Sequence, residues 1–442
     1  MTSDLYLHAK WATPDHNIEN ADVKQIYRHT GSAVQPVVKN NIGETLTNDA
    51  DYTITIKSEK TNSTVTEMKD PGFYNLTITG KSPYSGIRTV RVCVLTFGKY
   101  DPSTGELNNN ATLPENTDAA VVTDSTVSMN SGWYVVTEDV DVNTRMKVEG
   151  DVHLVLCDGA TLNAAGNDGR MGISVTYGNS LTIYSQAGNT GRLVASSNKV
   201  NFYAGIGGNS PEKSSSVPDP FPYLEKNKNA GNITIHGGEI YARGSYGSAA
   251  IGMAEDGQGG RITIYGGKVT ARRFSSTGTS TGIGGQNADI HLSWCRPYED
   301  FILSDGYQGG LTFDKPFIIE NTSTVATPDN IAQYVEKKIE PVESSETCTV
   351  TFDSKDGTAV EAQEVAMGRR AVKPVTPIRQ RYSFAGWFKD MGLSQEYSFN
   401  SLVTEDLTLY AKWEEVSAIA YVGENGDVSN FKAYCQRINQ VL

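Results

Sequence analysis

Clustered basic charge is missing from this chain, and so is any long apolar run. Lys and Arg total 38 against 51 Asp and Glu, for a formal net charge of −13. Binding a nucleic-acid backbone needs grouped cations to displace counterions, so the charge argues against a nucleic-acid partner. No run of about eighteen apolar residues occurs, which leaves no candidate for a membrane-spanning helix. Cysteine is sparse: Cys93, Cys157, Cys295, Cys348 and Cys435 stand far apart with no CxxC pair. That spacing supports neither zinc ligation nor a disulfide framework. Cys93 and Cys157 lie inside alternating apolar runs, RVCVL and HLVLC, where a small buried hydrophobe fits. The six histidines are dispersed, without metal-ligand spacing. Residues 1–20 hold neither a basic n-region nor an apolar h-region, so a secretion signal is expected upstream of this chain.

Helical periodicity is the last absence. Only 329–340, DNIAQYVEKKIE, spaces its apolar residues near 3.6. Elsewhere Val, Ile, Thr and Tyr alternate with polar residues between Gly, Asn and Asp turns, the pattern of short strands. The length of 442 residues implies about three domains. The expectation is an all-β, multi-domain chain.

What is present is repetition. Residues 1–11, MTSDLYLHAKW, recur as 403–413, VTEDLTLYAKW, aligning Leu5, Leu7, Ala9, Lys10 and Trp11 with Leu407, Leu409, Ala411, Lys412 and Trp413. The second copy closes a unit of roughly seventy residues and the first has none before it, so the chain reads as a slice of a longer tandem array. Such arrays usually hold, present or bind. A second repetition sits mid-chain. GNITIHGGEIYARG (231–244) matches GRITIYGGKVTARR (260–273), so Ile233, Ile235, Ile240 and Tyr241 correspond to Ile262, Ile264, Val269 and Thr270. A weaker copy is 180–196, and AGIGGN, AAIGMA and TGIGGQ recur at 204–209, 249–254 and 281–286. Short strands turned by glycine corners predict a coil of stacked rungs, aliphatic over aliphatic. Upstream, Val140, Val142, Val152, Leu154, Leu156 and Leu162 take the inward positions.

These phrases carry three resemblances. GFYNLTITGKSPYSG, within 13–97, resembles bacterial Ig-like repeats and implies a small antiparallel sandwich. GWYVV…GDVHLVLCDGATL and the GGxITIxGGxVTA phrases resemble right-handed parallel β-helix domains of secreted bacterial proteins, some described as carbohydrate-binding. TVTFDSKDG, then VKPVTPIRQRYSFAGWFKD, then YSFNSLVTEDLTLYAKW looks like the Listeria–Bacteroides repeat, also called the internalin B repeat. That family implies a small β-grasp fold and no catalytic residue. Val350, Phe352, Gly386, Trp387, Phe399 and Trp413 take structural roles in it. The expected order is a last β-grasp strand at 1–12, an Ig-like sandwich at 13–97 and a linker at 98–117. A β-helix with its closing segment follows at 118–345, then a β-grasp repeat at 346–415 and an incomplete module at 416–442.

Expectations for chemistry follow from residue types. A β-helix lyase or hydrolase needs paired carboxylates and a basic partner on adjacent rungs. The candidates are Asp158, Asp168 and Arg170, with Arg192, Arg243 and Arg272; the rung strands themselves carry no paired carboxylates, so catalysis is not expected. Calcium would draw on Asp168, Glu255 and Asp256, but their Asp-Gly contexts are ordinary turn chemistry, so no cofactor is expected. Sugar recognition uses exposed aromatic faces beside amides and charged groups. The long insertion at 209–230 carries Phe221 and Tyr223, which could meet Tyr203, Tyr241 or Tyr246 in a shallow groove. The sequence thus points to a structural or adhesive segment of a bacterial cell-surface or secreted protein. Its expected partners are host or dietary glycans, or surface proteins. A β-helix polysaccharide lyase or hydrolase is the alternative.

Overall fold

The computed structural model describes residues 14–164, 172–197, 203–209, 225–274, 281–293, 300–313, 317–319, 325–331, 337–341, 347–366, 369–399, 402–403 and 405–415. They fall into two compact units. The first holds the N-terminal sheet and a parallel coil, the second the C-terminal sheet. The all-β expectation holds: strands dominate, and the helical segments are single short turns. The first repeat copy at 1–12 and the tail at 416–442 lie outside the described residues.

Alternating side chains build the first sheet. Strands Ile26–Arg28, Ile87–Leu95, Gly72–Gly80, Tyr52–Ser58 and Ser63–Val65 pair in that order. Every pairing is antiparallel except that of Ile26–Arg28 with Ile87–Leu95, which is parallel. Val23 faces Val38 in a separate two-stranded sheet. Ile56, Leu76, Ile78 and Val92 join Ile18, Tyr27 and Met68 in one buried cluster, with Ile54 and Val90 packed against its edge.

The coil begins with Ala119–Val121, Ser128–Val136 and Met146–Leu156, each parallel to the next. Three parallel ladders then climb together. One stacks Ile173, Ile206, Ile251 and Ile283. A second stacks Leu181, Ile233, Ile262 and Ile290, with Ile183, Ile235, Ile264 and Leu292 beside them. The third stacks Leu162, Leu193, Ile240, Val269 and Ile302. All of these side chains are buried. The pairing read from the repeats is met residue by residue, including Tyr241 against Thr270. The inward positions expected upstream, Val140 to Leu162, are all buried too.

Glycine sets how closely the coils stack. Gly207, Gly252 and Gly284 lie over one another with φ of +138°, +139° and +103°. A Cβ on Gly252 would stand 2.0 Å from the carbonyl oxygen of Gly284.

Two expectations need correction. The segment 98–117 is not a free linker. Phe97–Asp101 and Glu106–Ala111 form a two-stranded ribbon, and Phe97, Tyr100 and Leu113 are buried. The helical spacing of 329–340 yields one short helix, Pro328–Ile331, followed by strand Lys337–Pro341. There Ile339 pairs antiparallel with Ile302, because closing the coil's third ladder outweighs local helix propensity in so short a run.

In the C-terminal unit, strands Gln363–Ala366, Thr347–Asp353, Leu407–Glu415 and Tyr382–Phe388 form one sheet in that order. The first and last chain segments pair in parallel, Val350 against Leu407. Val350, Phe352, Trp387, Leu409 and Ala411 make its core, with Phe399 and Trp413 packed against them. The rings of Phe352 and Trp387 meet edge to face at 5.0 Å. Trp413 Nε1 donates to Ser354 O at 2.8 Å.

Candidate functional site

Each coil turns a corner between the first and second ladders, and the corners of four coils line up. They contribute Tyr177–Ser180, Asn229–Asn232, Gln258–Arg261, and Asn287 with Asp289 to one furrow of about 690 Å³. Coils of a parallel stack rise about 4.8 Å each, so the furrow runs roughly 14 Å along the coil. Backbone bonds fix the steps. Tyr177 N donates to Asn229 O at 3.0 Å, Ala230 N to Gln258 O at 2.9 Å and Gly259 N to Gln286 O at 2.8 Å. Glycine allows the approach: a Cβ on Gly260 would stand 2.0 Å from Gly231 O, and one on Gly231 would stand 2.2 Å from Asn179 O.

The polar side chains left at the rim are amides, the Ser180 hydroxyl, one tyrosine ring and one ion pair. Tyr177 is 68% exposed. Asn179 donates to Thr176 and accepts from Gly150 N, which fixes its orientation. Asn229 Oδ1 accepts from Gln258 N at 2.8 Å. At the far end Arg261 Nε meets Asp289 Oδ2 at 3.0 Å, both side chains being well exposed. A flat ring followed by amides and a charged pair can stack on a pyranose face and exchange hydrogen bonds with hydroxyls.

The predicted aromatic groove is distributed differently. Phe221 and Tyr223 lie outside the described residues. Tyr203 is 2% exposed, its ring beneath the Arg145 guanidinium at 5.0 Å, and so presents no face to a ligand. Tyr241 is half-buried on the third wall, in register with Val194 and Thr270. Tyr246 is exposed but does not line the furrow. Tyr177, outside the predicted groove, is brought to the furrow by the stacking of the coils. Its signal was an aromatic residue in a Tyr-Gly-Asn turn just before a rung.

The catalytic candidates among the described residues have partners within the scaffold. Asp158 accepts from Gly188 N, Thr190 N and Thr190 Oγ1, clasping the next coil's turn. Arg192 pairs with Glu239 at 3.3 Å and Arg272 with Asp305 at 3.1 Å. Arg243 lies over the Phe274 ring. Asp168 and Arg170 lie outside the described residues. Asp256 occupies a turn position with φ +57°, and Glu255 sits against Gly247. Among the described residues, no three His, Cys, Asp or Glu side chains gather as metal ligands.

A second feature, unforeseen from sequence, is a column of rings on the outer face of the second wall. Trp133 stacks on His153 at 4.4 Å, Tyr184 on His236 at 4.9 Å and 4°, and His236 on Tyr265 at 5.0 Å. The Phe97–Asp101 strand covers it. Phe97 meets Tyr184 at 4.8 Å, Tyr100 meets Tyr265 at 4.8 Å, and Tyr100 N donates to His236 Nδ1 at 3.1 Å. Burial lowers the His236 pKa to about 3, helped by Lys99 and His153, and burial raises that of Tyr184. The column is therefore a seam between the Phe97–Asp101 strand and the coil.

Comparison with known proteins reaches part of the chain. Among similar proteins are two from Evansella cellulosilytica. One, named "Putative membrane protein", is 42% identical over 67 residues, 15% of this chain and 10% of that protein. The other, "Putative Gly-rich membrane protein", is 36% identical over 80 residues, 18% of this chain and 9% of that protein. The matched stretch thus spans about a tenth of either relative's length. Residues 349–412 match the family described as the Listeria-Bacteroides repeat domain, on the segment whose GW and AKW phrases suggested it.

Proposed function

We propose that this chain is a recognition segment of a bacterial cell-surface or secreted protein, and that its coil binds a glycan along the furrow from Tyr177 to Asp289. The repeat match at 349–412 supports the surface setting, as do the membrane-associated names of the two relatives. The observation that carries the glycan reading is the exposed Tyr177 ring at the head of a row of amides, of which Asn179 and Asn229 are held by hydrogen bonds. Neutral hydroxylated ligands suit such a row, because amides donate and accept without the desolvation cost of charge. Binding is favoured over turnover. Glycoside cleavage needs two cooperating carboxyl groups, and the furrow's rim offers Asp289, paired with Arg261.

A glycan array probed with the full chain tests this directly, with Tyr177→Ala and Asn232→Ala in parallel. Tyr177→Ala is expected to weaken binding of any hit about tenfold, the value of one stacked ring. Hits indifferent to both substitutions would remove the furrow from the account, and release of cleaved product would replace binding by catalysis.

A further inference from the structure

Cys93 and Cys157 belong to different modules and meet where those modules touch. Alternation along Ile87–Leu95 sends Val92 and Val94 into the sheet's own core and turns Arg91, Cys93 and Leu95 to the opposite face. On that face Arg91 Nη1 donates to Thr137 O at 2.6 Å. The adjacent carbonyl, Val136 O, accepts from Cys157 N at 3.0 Å. The faces that carry the two thiols therefore meet, both thiols are fully excluded from solvent, and the Cys93 sulfur is near enough to raise the Cys157 pKa. Contacts on the same seam hold the approach: the Phe97 ring lies 5.2 Å from Trp133, and Gln186 Nε2 donates to Thr96 O at 3.5 Å. Two cysteines that look unrelated in sequence are neighbours in space.

We infer that Cys93 and Cys157 form a disulfide that staples the N-terminal sheet to the first coils when the chain folds in the presence of a low-molecular-weight disulfide. The thiolate of one cysteine attacks the small disulfide, forming a mixed disulfide and releasing one small thiol. The second cysteine gives up its proton and attacks the protein-side sulfur, closing the Cys93–Cys157 bond and releasing the second small thiol. Two protein thiols are oxidised and one small disulfide is reduced to two thiols. In the finished fold the Cys157 thiol is held well above its ordinary pKa by its hydrogen bond to Cys93, by burial and by the neighbouring sulfur's charge. Little thiolate is then available, so the exchange belongs to folding, before the seam closes. The inference stands whether or not the furrow binds a glycan.

The test is to denature and reduce the full chain, refold it through oxidised and reduced glutathione, and digest it without reductant for mass spectrometry. The expected result is one linked peptide joining Cys93 to Cys157, lighter by two hydrogens. Two of the chain's five thiols should stop reacting with maleimide in denaturant. The unfolding midpoint should rise by several degrees over the same chain kept in dithiothreitol, as closing a long loop predicts. Cys93→Ser and Cys157→Ser should each lose both the linked peptide and the rise. Five reactive thiols after refolding, or a link from either residue to Cys295, Cys348 or Cys435, would overturn the inference. Should a serine variant fail to fold, the wild-type peptide map decides alone.

Discussion

Single residues set the tolerances of this molecule. Gly252 combines a φ that disfavours side chains with a carbonyl 2.0 Å from where its Cβ would stand. Gly252→Ala is therefore expected to cost about 3 kcal/mol, read as a lowered urea midpoint with an unchanged slope. A change below about 1 kcal/mol would mean that the coils can part there without penalty. His236 gives a pH test. Its folded pKa of about 3 lies below its ordinary value, since burial disfavours the cation and Tyr100 N–H occupies Nδ1. Above pH 6.5 both folded and unfolded states are neutral at this site. As pH falls from about 6.5 toward 3, only the unfolded state takes up the proton, so stability declines by at most about 1.4 kcal/mol per unit. His153, lowered mainly by burial and partly restored by Asp151, adds in the same direction. His236→Asn, whose amide oxygen can accept from Tyr100, should flatten the fall in unfolding midpoint between pH 6 and pH 4. An unchanged slope would place the titration elsewhere.

At the scale of elements, what was legible in the sequence is what repeats with a period. The Ile ladders follow from two near-identical phrases, and their register came out as the alignment of Ile233 with Ile262 implied. The ribbon at Phe97–Ala111 was not legible. It is held by Phe97 and Tyr100, isolated anchors that seat on the coil's rings, and by the buried Leu113, and so leaves no periodic trace. The furrow was illegible for a related reason. Tyr177, Asn229, Gln258 and Asn287 are distant in sequence and are aligned only by the coil's stacking, while each glycine before a rung reads alone as an ordinary corner. The ribbon carries its own prediction. Phe97→Ala removes a fully buried ring from the seam and is expected to destabilise the chain by about 3 kcal/mol. Tryptophan fluorescence from Trp133 should shift to the red as water enters. A near-neutral substitution with an unmoved spectrum would mean that the ribbon merely rests on the column.

At the scale of the whole molecule, a periodic scaffold carries its candidate function in the turns and leaves its walls to packing. The inward aliphatic ladders make the coil, the ring column joins it to the N-terminal sheet, and the corners remain free to present polar groups. The C-terminal repeat contributes a Trp-centred core of its own and matches a known family, which anchors the surface reading. Amide hydrogen exchange of the full chain, with and without a glycan taken from the array, tests the central claim most directly. The account predicts protection confined to 177–180, 229–232, 258–261 and 287–289, and its loss in Tyr177→Ala. Protection that falls instead on 349–412 or on the N-terminal sheet, with the four corners unchanged, would contradict it.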